Sequence, residues 1–150
     1  MLTITASTLD AAANGYFTGC LRFPDGEVEY FRSSLGHWSV ERYAASWRAQ
    51  FAALRRGASV AVLFTGVEDP RSANFVTGWV VYRPGDGFLY LQERLFLDSQ
   101  LPVGWELRDL GRTVGERTTV TEDGHAVAEW RVRLADIDPQ RTVVVTGGVI

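Results

Sequence analysis

The stretch Ser39-Val40-Glu41-Arg42-Tyr43-Ala44-Ala45-Ser46-Trp47-Arg48-Ala49-Gln50-Phe51-Ala52-Ala53-Leu54-Arg55-Arg56-Gly57 decides the fold class. Val40, Tyr43, Ala44, Trp47, Phe51 and Leu54 recur at three- and four-residue steps, which lines them along one face of an α-helix. A face so apolar has to be buried against a second layer. Ser39 suits the N-cap, where its hydroxyl accepts from a free first-turn amide, and Glu41 sits where the helix dipole favours negative charge. Trp38 and Tyr43 occupy the two positions of a hydrophobic staple, and Arg55, Arg56 and Gly57 supply the stop signal.

Beyond Gly57 the period changes to that of strands. Val60-Ala61-Val62-Leu63-Phe64, then Asn74 to Arg83, then Phe88 to Leu97 are β-branched and aromatic runs. Pro84-Gly85-Asp86-Gly87 separates the last two as a hairpin turn, and Glu68-Asp69-Pro70-Arg71-Ser72 forms a longer polar loop. Phe75 to Tyr82 is apolar on both alternating faces, so it reads as a central strand covered on both sides.

Further out, Thr113–Thr121 and Ala126–Leu134 flank Glu122-Asp123-Gly124-His125 as the arms of an antiparallel hairpin. Ala126, Ala128, Trp130, Val132 and Leu134 share one face of the second arm. On the N-terminal side, Asp25-Gly26 joins Cys20–Phe23 to Glu27–Phe31 in a short hairpin, with Pro24 at an edge position. Residues 98–112, around Pro102, Gly104, Trp105 and Gly111, leave room for a turn of helix. The tail from Thr142 to Ile150 reads either as a strand or as a loose edge. Sequential hairpins with one long helix give an α+β domain, an antiparallel sheet with the helix across one face, spanning residues 1–150 without repeat or linker.

Composition sets the bounds. The 150 residues are 46% hydrophobic and 22% charged with a mean hydropathy of -0.04. Such a chain buries roughly 68–70% of its unfolded surface in one core. No apolar run approaches the roughly 20 residues that span a bilayer. Met1 to Asp10 lacks the basic and apolar regions of a signal peptide, so the cytoplasm is the expected location and no membrane partner is expected. All 15 basic residues are Arg, against 18 acidic residues, for a net charge of -3 and a pI near 5.4. That balance does not suit non-specific phosphate binding, which needs a cation per contact, and it points to a basic partner.

Few residues suggest catalysis. His37 flanks a helix start and His125 sits in a turn, neither in a nucleophilic triad pattern. Cys20 is the sole cysteine, so no internal disulfide forms, and with two histidines it makes a poor zinc set. No metal or cofactor is expected. Gly85-Asp86-Gly87 and Gly147-Gly148 do not lead into a helix with Lys and Ser or Thr, so they read as turns and not as phosphate loops. The acid pairs Glu68-Asp69, Glu122-Asp123 and Asp136 with Asp138 read as solvated loops that can also steer a cationic partner. Of the five tryptophans, Trp47, Trp79 and Trp130 fall on apolar faces and are expected in the core.

Certain strings go further: Leu35, Trp38, Tyr43, Ser46 and Trp47; Pro70, Asn74, Phe75, Trp79, Val80 and Tyr82; Tyr90 and Gln92; Glu116-Arg117-Thr118-Thr119, Asp123-Gly124 and Glu129-Trp130. In order and spacing they resemble the CdiI immunity proteins of contact-dependent growth inhibition, in particular the family paired with a toxin that cleaves 16S ribosomal RNA. The resemblance covers residues 35–134. It implies a single α+β domain with a curved antiparallel sheet, similar in outline to the Whirly single-strand DNA-binding fold. It also implies a cytoplasmic, non-enzymatic protein that binds and neutralises the C-terminal toxin nuclease domain of a CdiA-like protein.

Loop acids can approach a cationic nuclease cleft without disturbing the core, so Glu68, Asp69, Asp86, Glu122 and Asp123 are the candidate toxin contacts. A second reading, a single-stranded nucleic-acid binder, draws on the Whirly-like outline and the aromatic strands. The acidic balance argues against it, and direct nucleic-acid binding is not expected.

Overall fold

In the computed structural model, residues 1–69, 71, 74–101, 106–107 and 110–150 are described. Pro70, Pro102, Gly104 and Trp105 lie outside them. The chain order is β1 (Thr3–Ser7), α1 (Ala11–Asn14), β2 (Tyr16–Arg22), β3 (Val28–Ser34), α2 (Val40–Arg55), β4 (Val60–Gly66), β5 (Phe75–Tyr82), β6 (Phe88–Leu97), α3 (Leu110–Thr113), β7 (Trp130–Arg133) and β8 (Val143–Thr146).

The helix forms as its spacing predicts. Ser39 caps it by accepting from the Arg42 amide at 3.2 Å, and the Trp38 and Tyr43 rings of the staple meet at 5.2 Å. Its apolar stripe, Val40 to Leu54, is buried. Phe17 packs edge-on against Tyr43 and Trp47, Phe31 against Trp47, and the Gln50 side chain accepts from the Val62 amide of β4 at 3.0 Å. One continuous core therefore runs from β1 and β2 through α2 to β4, β5 and β6.

The α+β class holds, but the single antiparallel sheet does not. Among the described residues the strands make two four-stranded sheets, ordered β3-β2-β1-β8 and β4-β5-β6-β7. Local hairpin signals specify which neighbours pair and say nothing about whether consecutive hairpins join edge to edge. One pairing is also parallel: β8 returns beside β1, Ile4 opposite Val143. That contact closes across almost the whole chain, with the Ile4 amide donating to Thr142 O at 2.7 Å.

The Asp25-Gly26 hairpin is β2–β3, and β5 lies between β4 and β6 as a central strand. The hairpin expected over 113–134 is only partly formed. Its arms share the isolated Val120–Ala126 bridge, whereas Trp130–Arg133 pairs instead with β6, Leu91 opposite Trp130. Pairing with β6 buries Val132 in the core, which the partner arm, exposed over Thr118 to Thr121, does not offer.

Candidate functional site

The five candidate acids do not form one patch. Glu68 and Asp69 follow the end of β4, and the Glu68 Oε2 lies 3.2 Å from where a Cβ would stand on Gly36, just past β3. Asp69 is tied to Arg71 by a bidentate pair, which holds its carboxyl below the usual range. Asp86 occupies the β5–β6 turn, at the opposite end of the second sheet, about 20 Å away along the seven residues of β4. Glu122 and Asp123 form the exposed tip of the turn closed by Thr121 and His125.

Asp86 belongs to a polar chain that crosses the second sheet. Its Oδ2 accepts from Tyr90 Oη at 2.6 Å, and that hydrogen bond is the main cause of its lowered pKa. The Arg117 guanidinium stacks on the Tyr90 ring 3.8 Å from its centroid. Arg117 Nε then donates to Glu129 Oε2 at 2.8 Å within an ion pair. The same oxygen accepts from Gln92 Nε2 at 2.7 Å, whose amide also donates to Thr118 O. Gln92 is fully buried, and its Oε1 accepts from Arg94, which also reaches the Tyr82 hydroxyl. Residues 114–129 have little ladder of their own, so these side-chain bonds hold that segment on the sheet.

Among the described residues, no group of three or more His, Cys, Asp or Glu side chains is placed to hold a metal ion. Nor is any described helix long and apolar enough to cross a membrane.

Residues 33–140 match the family model described as the CdiI N-terminal domain. The chain belongs to that family. It is similar to the immunity protein CdiI of Enterobacter cloacae subsp. cloacae, 23% identical over 103 residues, covering 69% of this chain and 70% of that protein. In structure it is similar to a chain of the CdiA-CT/CdiI toxin and immunity complex from Enterobacter cloacae. The TM-score is 0.78 at 21% sequence identity, covering 90% of this chain and 92% of that one.

In this CdiI-family chain the strings that carried the resemblance acquire a physical role. Tyr90 and Gln92 of β6 meet Arg117 and Glu129, 25 or more residues further along the chain, in this polar chain. Sequence reasoning missed that cluster, because an isolated Gln in a strand and an Arg in a loop carry no signal of contact. A groove of about 780 Å³ also opens between α2 and β4, lined by Trp38, Arg42, Gln50, Phe64 and Arg112. Trp38 is nearly buried there, with its indole N–H lacking a partner among the described residues, and Arg42 stacks on its ring.

Proposed function

We propose that this CdiI-family protein is an immunity protein that binds the C-terminal toxin nuclease domain of a CdiA-like protein and neutralises it by stoichiometric occlusion. The observation that carries this reading is family membership over residues 33–140, joined to a fold shared with a chain of a toxin and immunity complex. A nuclease that grips RNA needs cations, and an acidic protein presents them with the charge they otherwise meet on phosphates. Glu68, Asp69, Asp86, Glu122 and Asp123 are the contacts proposed for this role. Because they project from several loops, they engage a broad cationic surface and not a single deep pocket. The whole chain acts as one domain, Whirly-like in outline, in the cytoplasm, and inhibits without catalysis of its own.

The test is a titration. The cognate CdiA C-terminal toxin domain is assayed on its RNA with increasing amounts of the protein, and activity is expected to fall linearly to zero at one equivalent. Unchanged nuclease activity at a tenfold excess would sink the reading. The loop contacts are tested separately by association kinetics of single Ala variants at two salt concentrations. An acid at the rim slows association and flattens its salt dependence when removed, and one at a desolvated centre speeds dissociation. If all five variants bind like the parent, the acidic loops are not the contact.

A further inference from the structure

The outer face of the first sheet is exposed at Arg22, Tyr30, Arg32 and Val144, while Ser7 and Cys20 on the same face are buried. Side chains alternate along strands, so the odd-numbered residues of β1 and the even-numbered ones of β2, β3 and β8 point away from the core. Cys20 marks the division: it is fully buried yet stands outside the core cluster that takes Phe17 and Leu21 from the same strand. The strand registers set Val144, Thr5, Cys20 and Tyr30 in one row across all four strands. Tyr30 is 60% exposed and Val144 40%, at the two edges of the sheet, with half-buried Thr5 and fully buried Cys20 between them.

Cations flank that row. Arg22 stands in the row on one side and Arg32 in the row on the other, both exposed, and neither is ion-paired among the described residues. Arg32 is held in place by stacking over the Tyr16 ring at 4.7 Å. No Asp or Glu occupies any outward position of the four strands. On an otherwise acidic protein, the charged side chains at the outward strand positions around Tyr30 are thus all Arg. Tyr and Arg are among the residues that dominate binding energy where proteins meet.

The surroundings narrow the occupant. A second copy docking by a two-fold axis would set Arg22 and Arg32 close to their own equivalents, which costs energy. Nucleic acid fits poorly, because Arg32 already covers Tyr16 and leaves Tyr30 as the one open ring of the row, on a chain of net charge -3. A protein surface with carboxylates opposite the two guanidinium groups fits best. The face lies almost wholly outside residues 33–140, so the shared family sequence does not account for it. At its Arg32 end it runs through Ser34 and Gly36 to the Glu68 carboxylate.

We propose that this face, centred on Tyr30 between Arg22 and Arg32, is a docking surface for a carboxylate-bearing patch of the cognate toxin domain, a patch separate from the toxin's cationic cleft. The inference rests on the immunity reading. It gives the protein a second contact of opposite charge sign, which sets one orientation and rejects toxins that lack the matching acids.

The experiment measures binding of the cognate CdiA C-terminal toxin domain to the full-length parent and to Tyr30→Ser, to the double variant Arg22→Glu with Arg32→Glu, and to Arg48→Glu on the exposed side of α2 as a control. Thermal melts check that each variant is folded. The expected result is at least a tenfold loss of affinity for Tyr30→Ser, a larger loss for the double variant, and parent-like binding for the control, all at unchanged melting temperature. Parent binding with undiminished affinity in both face variants overturns the inference and leaves the immunity reading standing. A parent that fails to bind the toxin removes both. Loss of a 12-nucleotide single-stranded RNA from the face variants, or a parent dimer that Tyr30→Ser dissolves in sedimentation equilibrium, assigns the face to another occupant and likewise overturns it.

Discussion

Trp47 donates its indole N–H to the Phe64 carbonyl across 2.7 Å, pinning α2 to β4 where the β4–β5 register shifts between Phe64 and Gly66. The irregularity there coincides with a side-chain donor from the helix that takes the strand's carbonyl. Helix and second sheet are therefore coupled by a directed bond as well as by burial.

Trp47→Ala should destabilise the protein by about 3–5 kcal/mol, through lost burial and the cavity left behind. Trp47→Phe keeps most of the packing and leaves the Phe64 carbonyl unpaired, for a loss of about 1–3 kcal/mol. Denaturant melts rank the two, and a parent-like midpoint for the alanine variant would show that the helix face is not what holds the layers together.

Tyr43 lies at the base of the same helix. Its hydroxyl donates to Ser34 O at 2.8 Å and accepts from the Val67 amide at 3.0 Å. Burial pushes its pKa from the ordinary 10.0 up to about 12. A raised folded-state value means that this contribution is complete below pH 10 and is lost as pH rises towards 12. Tyr43→Phe is expected to lower stability by about 1–3 kcal/mol at neutral pH and to flatten that alkaline decline. Stability measured against pH in the two proteins is the check.

Glu129 behaves in the opposite sense. Hydrogen bonds from Arg117 hold its carboxyl below the usual range, with Gln92 adding to the effect against partial burial. A lowered folded-state value gives stability that is present above the ordinary carboxylate range and lost as pH falls through the shifted one. Glu129→Gln should cost about 1–3 kcal/mol at neutral pH and remove part of the acid-induced loss. Hydrogen exchange locates the effect: faster exchange is expected in residues 114–129 and parent-like exchange in β1 and β2.

Gly78 faces β4 with no room for a side chain. A Cβ there would stand 2.8 Å from Leu63 O and 3.2 Å from a Val62 methyl. Gly78→Ala forces the two strands apart and should cost about 1–3 kcal/mol. A shifted denaturant midpoint with an unchanged slope is the expected signature.

Much of this was legible in one dimension. The helix over Val40–Arg55, its Ser39 cap and the β5–β6 hairpin all follow from signals within a few residues of each other, where side-chain period and turn chemistry act directly on the backbone. Trp47 and Trp79 are buried as their apolar faces imply, while Trp130, expected in the core beside them, is only partly buried. The N-terminal strand β1 gave no such signal, because its apolar positions make sense only once β2 and β8 lie on either side.

The tertiary structure alone decided the division into two sheets, the parallel return of β8 and the pairing of Trp130–Arg133 with β6. Each depends on which surfaces remain unburied after the local hairpins form, a comparison between segments as distant as Ile4 and Val143 that no local pattern encodes. The same holds for the two surfaces that matter most. In the first, Arg117 and Glu129, both outside the strands, meet Gln92 of β6; in the second, Arg22 of β2 lies beside Tyr30 and Arg32 of β3. The sequence determined their charge and chemistry, but only the strand register brought them side by side.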